Sequence, residues 1–166
     1  METQLVIQSP LGEMLVCERQ GAIVGIYFIP QKYGRTPDPA KLGVSPLLLE
    51  AKKSLTAYFQ GTLSTFDLPL ALEGTDFQKI VWAQLLAIPF GETWSYQQLA
   101  DRCGKSSGVR AVANAVGKNP ISLVVPCHRV IGSNGALTGY AGGVDRKAAL
   151  LALENNRPFQ MDWMNP

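Results

Sequence analysis

The hydrophobic period of this chain changes part-way along it, from short strand-like runs to helical spacing. Three strand-like runs open the sequence, Gln4 to Ile7, Met14 to Glu18 and Ile23 to Phe28, separated by the turn signals Ser9-Pro10-Leu11-Gly12 and Gln20-Gly21. They predict two consecutive hairpins. Pro30 to Val44 is rich in Pro, Gly and Lys without apolar periodicity and reads as a loop. Ser45 then caps a helix with Pro46 at its first position, and Leu47, Leu48, Ala51, Leu55, Tyr58 and Phe59 form its stripe up to Gly61. Residues 62–70 read as one more strand, and the segment 61–74 as a connection ending at Glu73-Gly74.

After residue 74 the signals are helical. Thr75 with Gln78 and Ser95 with Gln98 are capping boxes, the first opening a helix with apolar positions Phe77, Ile80, Val81, Leu85 and Leu86. Cys103-Gly104-Lys105-Ser106 is a short connection of the kind that joins the helices of a helix-turn-helix. The next helix starts at Ser107, and its recognition segment runs from Gly108 to Gly117. The pattern is α+β, with a sheet-and-helix unit over 1–73 and a mainly helical unit over 74–166. At 166 residues the chain makes one domain or two small ones.

Hydrophobic residues are 46% and charged ones 17% of the chain, which excludes a disordered class. No apolar run approaches the ~20 residues of a membrane span, and METQLVIQSP has neither a basic nor an apolar leader region, so a cytoplasmic protein is expected. Cys17, Cys103 and Cys127 form no CxxC pair, and with His128 as the one histidine they offer no metal-ligand spacing. The net charge is +2, but residues 97–147 carry seven Lys/Arg against Asp101 and Asp145, a local excess of +5. The tail returns −1 through Arg157, Glu154 and Asp162. A basic face in that segment suits a polyanion such as DNA, and chance asymmetry on a solvated surface is the alternative.

In the recognition helix Val109, Val112 and Val116 fall on one face. Arg110, Ala113, Asn114 and Gly117 fall on another, which is bare apart from the arginine. A bare face lets the helix backbone approach a partner closely, as an opened minor groove requires, and it suits helix packing through small residues equally well.

The apolar run Leu123 to Pro126 reads as a strand that delivers Cys127, His128 and Arg129 at its end, ahead of Val130-Ile131 and the glycine-rich stretch Gly132 to Gly143. An imidazole beside a thiol can take its proton and raise the thiolate fraction, although a structural cysteine next to a surface histidine looks the same in sequence.

Pro126-Cys127-His128-Arg129-Val130, preceded by Asn119-Pro120 and followed by Gly139-Tyr140-Ala141-Gly142-Gly143, resembles the active-site signature of the O6-alkylguanine-DNA alkyltransferases of bacterial type. The likeness extends through GETWSYQQLA at 91–100, through Val109-Arg110-Ala111-Val112 and to the helix ending in Glu154, covering roughly residues 74–155. The first 73 residues match more weakly. The resemblance implies a small N-terminal ribonuclease-H-like sheet-and-helix domain, without nuclease chemistry, and a C-terminal helix-turn-helix domain that holds the site.

It also implies roles. Cys127 would be the acceptor nucleophile, His128 a base acting through a water, and Glu154 the carboxylate orienting His128. Asn119 would brace the turn before the nucleophile, and Tyr96 would donate to the guanine ring nitrogen. Tyr140, with Ala141 and Gly142 beside it, would line the base pocket, while the carbonyls of Cys127 and Val130 accept from the exocyclic amine. Arg110 would enter the stack in place of the flipped nucleotide. No cofactor or metal is implied. The partner is double- or single-stranded DNA carrying alkylated bases, chiefly O6-alkylguanine and also O4-alkylthymine, and the protein acts once, as a monomer. Ser122 and Ala141 stand where some relatives have Pro and Ser, which leaves the preference among adducts open. Three other readings are a noncatalytic sensor of alkylated bases, a transcriptional regulator and a Cys-His thiol hydrolase. The presence of Cys127 disfavours the first and the bare recognition face with the absence of an effector domain the second, while the third is distinguished by experiment, because a hydrolase would turn over repeatedly and leave Cys127 unmodified.

Overall fold

A computed structural model describes residues 1–155. The end of the second unit at 166 and the tail charges Arg157 and Asp162 lie outside the described residues. The chain opens with an antiparallel meander of β1 (Glu2–Ser9), β2 (Gly12–Arg19) and β3 (Ala22–Phe28), in the order β1-β2-β3. Its strands are longer than the runs read from the sequence, because ladder hydrogen bonds carry polar residues such as Gln8 and Glu13 along with the apolar ones. Gln20 at φ +52 and Gly21 at φ +75 form the two-residue turn between Arg19 and Ala22, the geometry whose twist matches the flanking strands.

The segment 62–70 is not a strand. Only Leu70 bridges Ile23, through bonds from Ile23 N to Pro69 O at 2.8 Å and from Ala71 N to Ile23 O at 2.9 Å. Pro69 has no N–H to extend a ladder. The opposite edge is covered in the same partial way where Leu42, within the predicted loop, bridges Gln4. That loop also contains a short 3-10 turn at Pro39–Lys41.

Helix α1 (Pro46–Phe59) is capped by Ser45 Oγ, which accepts from Leu48 N at 3.1 Å, and it lays Leu48, Ala51, Leu55 and Tyr58 on the sheet. Both expected capping boxes form, on α2 (Asp76–Leu85) and on α3 (Tyr96–Arg102). In α2 the sequence stripe is partly wrong: Ile80 and Leu86 are exposed, whereas Trp82 is buried beside Val81 and Leu85. The face was decided by α4 (Val109–Gly117), whose Ala115 carbonyl accepts from Trp82 Nε1 at 2.9 Å. Gly108, rather than Ser107, occupies the α4 cap position and makes no side-chain cap. Val112, Ala115 and Val116 are buried, while Val109 is half-buried.

A two-residue parallel ladder joins β4 (Trp94–Ser95) to β5 (Val130–Ile131) and so ties the start of α3 to the segment after Cys127. Helix α5 (Val144–Glu154) closes the described chain. One apolar cluster runs from Val16, Phe28 and Leu55 through Leu85, Val112 and Val125 to Leu150, so both halves share a core. Trp82 anchors its helical side by area and by a hydrogen bond. Trp82→Ala is expected to cost about 3–5 kcal/mol, measured as the shift in urea unfolding midpoint at unchanged slope.

Candidate active site

The chain reaches Cys127 through a turn, not through the expected strand. Ile121 sits on the edge of β3, with Ile26 N donating to Pro120 O and Ser122 N to Ile26 O, both at 2.9 Å. The backbone then doubles back, Val124 N bonding Ser122 O at 2.9 Å and Val125 N bonding Ile121 O at 3.0 Å, with Leu123 at φ +71. Asn119 fastens both arms: its Nδ2 donates to Val125 O at 2.7 Å and its Oδ1 accepts from Ile121 N at 2.9 Å. These local partners take the backbone groups that a neighbouring strand would have used. Cys127 to Arg129 follow as a single 3-10 turn, and every residue from Ile121 to Val130 is buried.

Glu154, at the end of α5, gathers that turn. His128 Nε2 lies 2.6 Å from Glu154 Oε2, Arg129 Nε donates to Oε1 at 2.7 Å and Nη2 to Oε2 at 3.1 Å, and the Tyr58 hydroxyl from α1 donates to Oε2. Arg129 Nη1 also donates to Ile88 O at 2.7 Å. Burial works against a charge on Glu154, but the bonds from His128 and Arg129 outweigh it and hold the carboxyl at about 2. Burial pushes the imidazole below its ordinary value despite the carboxylate beside it. A neutral ring facing an ionised carboxylate carries its proton on Nε2, which leaves Nδ1 as the acceptor; Nδ1 has no hydrogen bond within the protein. His128 and the Cys127 thiol are not directly hydrogen bonded. Burial raises the thiol above its ordinary value, and the Asn119 side chain and the Lys147 charge oppose that rise.

A second group of side chains borders Cys127. Tyr96 Oη donates to Thr138 O at 3.1 Å, and Lys147 Nζ donates to the same carbonyl at 2.9 Å while lying 5.7 Å from the Tyr96 ring centre. Burial, reinforced by Cys127, takes the Tyr96 hydroxyl up to about 12. Lys147 has no exposed surface, and burial brings its ammonium down to about 8 against the pull of Cys127. Tyr140 is buried, Ala141 half-buried, and Gly142 so close to the Tyr140 ring that a Cβ there would meet Cε2 at 2.6 Å. Arg110 and Ala113 of α4, with Gly139 opposite, separate two hollows of about 590 and 400 Å³. Tyr96 and Thr138 line the first, Tyr140 and Ala141 the second.

The structure thus brings Cys127, His128, Glu154, Asn119 and Val130 into one buried cluster, with Tyr96, Tyr140, Ala141 and Gly142 at its margin and Arg110 exposed on α4. Arg129, Tyr58 and Lys147 carry no site assignment in the sequence reading. Lys147, Leu150 and Glu154 share a face of α5 at helical spacing, the one signal that could have found the lysine.

The expected basic face is smaller than the charge count implies. Arg129 and Lys147 are buried, and Arg146 is tied to Leu11 O, Pro30 O and Gly142 O at 2.9, 3.1 and 3.2 Å. Arg102, Lys105, Arg110 and Lys118 remain exposed. Among the described residues no group of three His, Cys, Asp or Glu is placed to hold a metal ion, and no helix is long and apolar enough to cross a membrane.

Residues 4–72 match the family model for the 6-O-methylguanine DNA methyltransferase ribonuclease-like domain, and residues 76–156 the model for its DNA-binding domain. This chain belongs to the 6-O-methylguanine DNA methyltransferase family. It is 46% identical over 156 residues to the methylated-DNA–protein-cysteine methyltransferase of Mycobacterium tuberculosis, covering 91% of each chain. To the protein of that name from Methanosarcina barkeri it is 47% identical over 152 residues, 91% of this chain and 96% of that one. The Mycobacterium tuberculosis OGT solved in complex with DNA superposes with a TM-score of 0.84 at 43% identity, over 98% of both chains. The α+β architecture, with a ribonuclease-like unit followed by a DNA-binding unit, is that of the family.

The buried Glu154 makes the cluster sensitive to acid. Its carboxyl is depressed relative to the unfolded chain, so its contribution to stability is complete above the ordinary value of 4.5 and is lost as pH falls toward about 2. Glu154→Ala strands the Arg129 guanidinium and is expected to cost about 3–5 kcal/mol near neutrality. Urea titrations from pH 7 down to pH 3 check both points, since the variant's stability relative to wild type should recover as the acid limit is approached.

Proposed function

We propose that this member of the family repairs alkylated DNA by moving an alkyl group, chiefly methyl, from O6 of guanine to Sγ of its own Cys127. The observation that carries the reading is a buried cysteine on a hydrogen-bonded turn whose next residue is a neutral histidine held by an ionised carboxylate. His128 Nδ1 takes the thiol proton by way of a solvent molecule, and the imidazolium that forms is stabilised by Glu154. Sγ then attacks the alkyl carbon. An S–C bond forms, the C–O6 bond breaks, and the electron pair stays with the guanine, to which Tyr96 donates a hydrogen bond or proton. The carbonyls of Cys127 and Val130 accept from the exocyclic amine, and Tyr140, Ala141 and Gly142 wall the base. Asn119 positions the turn that presents the thiol.

A thioether is a poor leaving group and the cluster has no second nucleophile, so each molecule acts once. O4-alkylthymine presents the same electrophile and is a second substrate, in duplex or in single-stranded DNA. Cys127 is only 5% exposed, so the nucleotide must leave the duplex to reach it. The bare face of α4 approaches from the minor-groove side, and Arg110 enters the vacated stack. The division of labour follows 1–73 as the sheet-and-helix domain and 74–166 as the DNA-binding, alkyl-transfer domain, in a cytoplasmic monomer that needs no cofactor.

Intact-protein mass spectrometry after reaction with an O6-methylguanine duplex should show one added methyl group, mapped to Cys127, however large the excess of substrate. Repeated turnover or labelling at Cys17 or Cys103 would falsify the assignment. Cys127→Ser should keep DNA binding and lose transfer.

Arg110→Ala tests extrusion separately. Without Arg110 in the stack, the few kcal/mol of unpairing are less well compensated, so duplex repair should slow by about tenfold or more, single-strand repair less, and reaction with the free O6-methylguanine base hardly at all. Equal losses on all three substrates would assign Arg110 to the pocket.

A further inference from the structure

The first part of the loop at 30–44 is fastened to the chain segment that borders the active site. Lys32 N donates to Ala141 O at 3.0 Å, Gln31 Oε1 accepts from Phe28 N at 2.8 Å, and Gly34 N donates to Gln31 O at 3.1 Å. Between these bonds Tyr33 is held at φ +57 with 54% of its surface exposed. Left-handed backbone is unfavourable for a bulky residue, and burial does not compensate for it here. The ring instead meets two ammonium groups, Lys32 Nζ at 5.2 Å and Lys118 Nζ at 5.6 Å from its centre, one from each half of the chain. Neither lysine has a carboxylate within ion-pair distance among the described residues. Lys32 and Tyr33 rim the hollow of about 400 Å³ that Arg110, Asn114 and Gly117 border from α4.

We propose that Lys32, Tyr33 and Lys118 form a clamp for the sugar–phosphate backbone of DNA, through which the N-terminal half takes part in binding next to the point where Arg110 acts. The inference rests on the DNA-repair reading above and extends the interface beyond the helix-turn-helix. Lysines without carboxylate partners are point charges suited to phosphate oxygens, and such contacts fix register without reading sequence. The Tyr33 ring presents its negative face to both cations, which holds them together despite their mutual repulsion. Anchoring of Lys32 to Ala141 then links the backbone grip to the wall of the base pocket.

The test measures binding of an undamaged duplex as a function of salt, alongside reaction with free O6-methylguanine base. Lys32→Ala should weaken duplex binding by about three- to tenfold and reduce the magnitude of the log–log salt slope by about 0.9, the value for one phosphate contact. Tyr33→Phe, which keeps the ring face, should bind like wild type, and Tyr33→Leu should weaken binding. Lys118→Ala should lose less when made on Tyr33→Leu than on wild type. Reaction of Lys32→Ala and Tyr33→Leu with the free base should stay at the wild-type rate. Unchanged affinity and slope in Lys32→Ala overturns the clamp, and so does a free-base rate that falls with duplex affinity, because the loop would then be shaping the pocket. A wild-type protein without salt-dependent duplex binding is a different failure and overturns the repair reading itself.

Discussion

The carboxylate of Glu154 is where three chain segments far apart in sequence converge, and the site depends on that meeting. Tyr58 comes from the helix of the N-terminal half, His128 and Arg129 from the turn at Cys127, and Glu154 from the last described helix. Removing one charge from water is costly; removing two is tolerable only when the geometry is close and every lone pair is used. Here Arg129 approaches through two nitrogens and finds a third partner in the Ile88 carbonyl. The result is a rigid, charged hub inside an apolar core, and the tautomer of His128 follows from it.

Around Cys127 the same burial moves the titration of neighbouring groups in opposite directions. It suppresses the charge on His128, which keeps a free acceptor nitrogen, and it suppresses the thiolate of Cys127, which the proposed transfer needs. Two polar features temper the second effect. Asn119 holds the turn and faces the thiol, and Lys147 places a buried ammonium whose field favours the thiolate while its hydrogen bond fixes Thr138. Thr138 O also receives the Tyr96 hydroxyl, so the tyrosine can turn toward a bound base while the carbonyl keeps a donor in Lys147.

The glycine-rich stretch at 132–143 adds close approach rather than flexibility. Gly142 admits the ring of Tyr140 at a distance no Cβ would allow, and Gly139 lets the backbone pass the Tyr96 hydroxyl at φ +71. The packing around Tyr140 and the placing of the Tyr96 hydroxyl are therefore consequences of the same few residues.

Local chemistry made much of this legible from the residues alone. The Gln20-Gly21 turn, the Ser45 cap and the capping boxes at Thr75 and Ser95 each satisfy backbone groups within four residues, so they need no knowledge of the rest of the chain. The Cys127-His128 pair was ambiguous by itself, and it was the resemblance carried by the longer motif around it that pointed to a site. What the sequence could not decide were matters of partnership at long range. Ile80 and Trp82 are both apolar on one helix, and only the Ala115 carbonyl chose between them. Leu123 to Pro126 has the composition of a strand, but Asn119 and β3 took its backbone groups and folded it into a turn. Arg129 and Lys147 count as basic surface in a charge sum, whereas Glu154 and Thr138 draw them inside. In each case the choice is made by a partner group, the Ala115 carbonyl for Trp82, β3 with Asn119 for the turn, Glu154 for Arg129 and Thr138 O for Lys147, and those partners are in place only once the tertiary structure has formed.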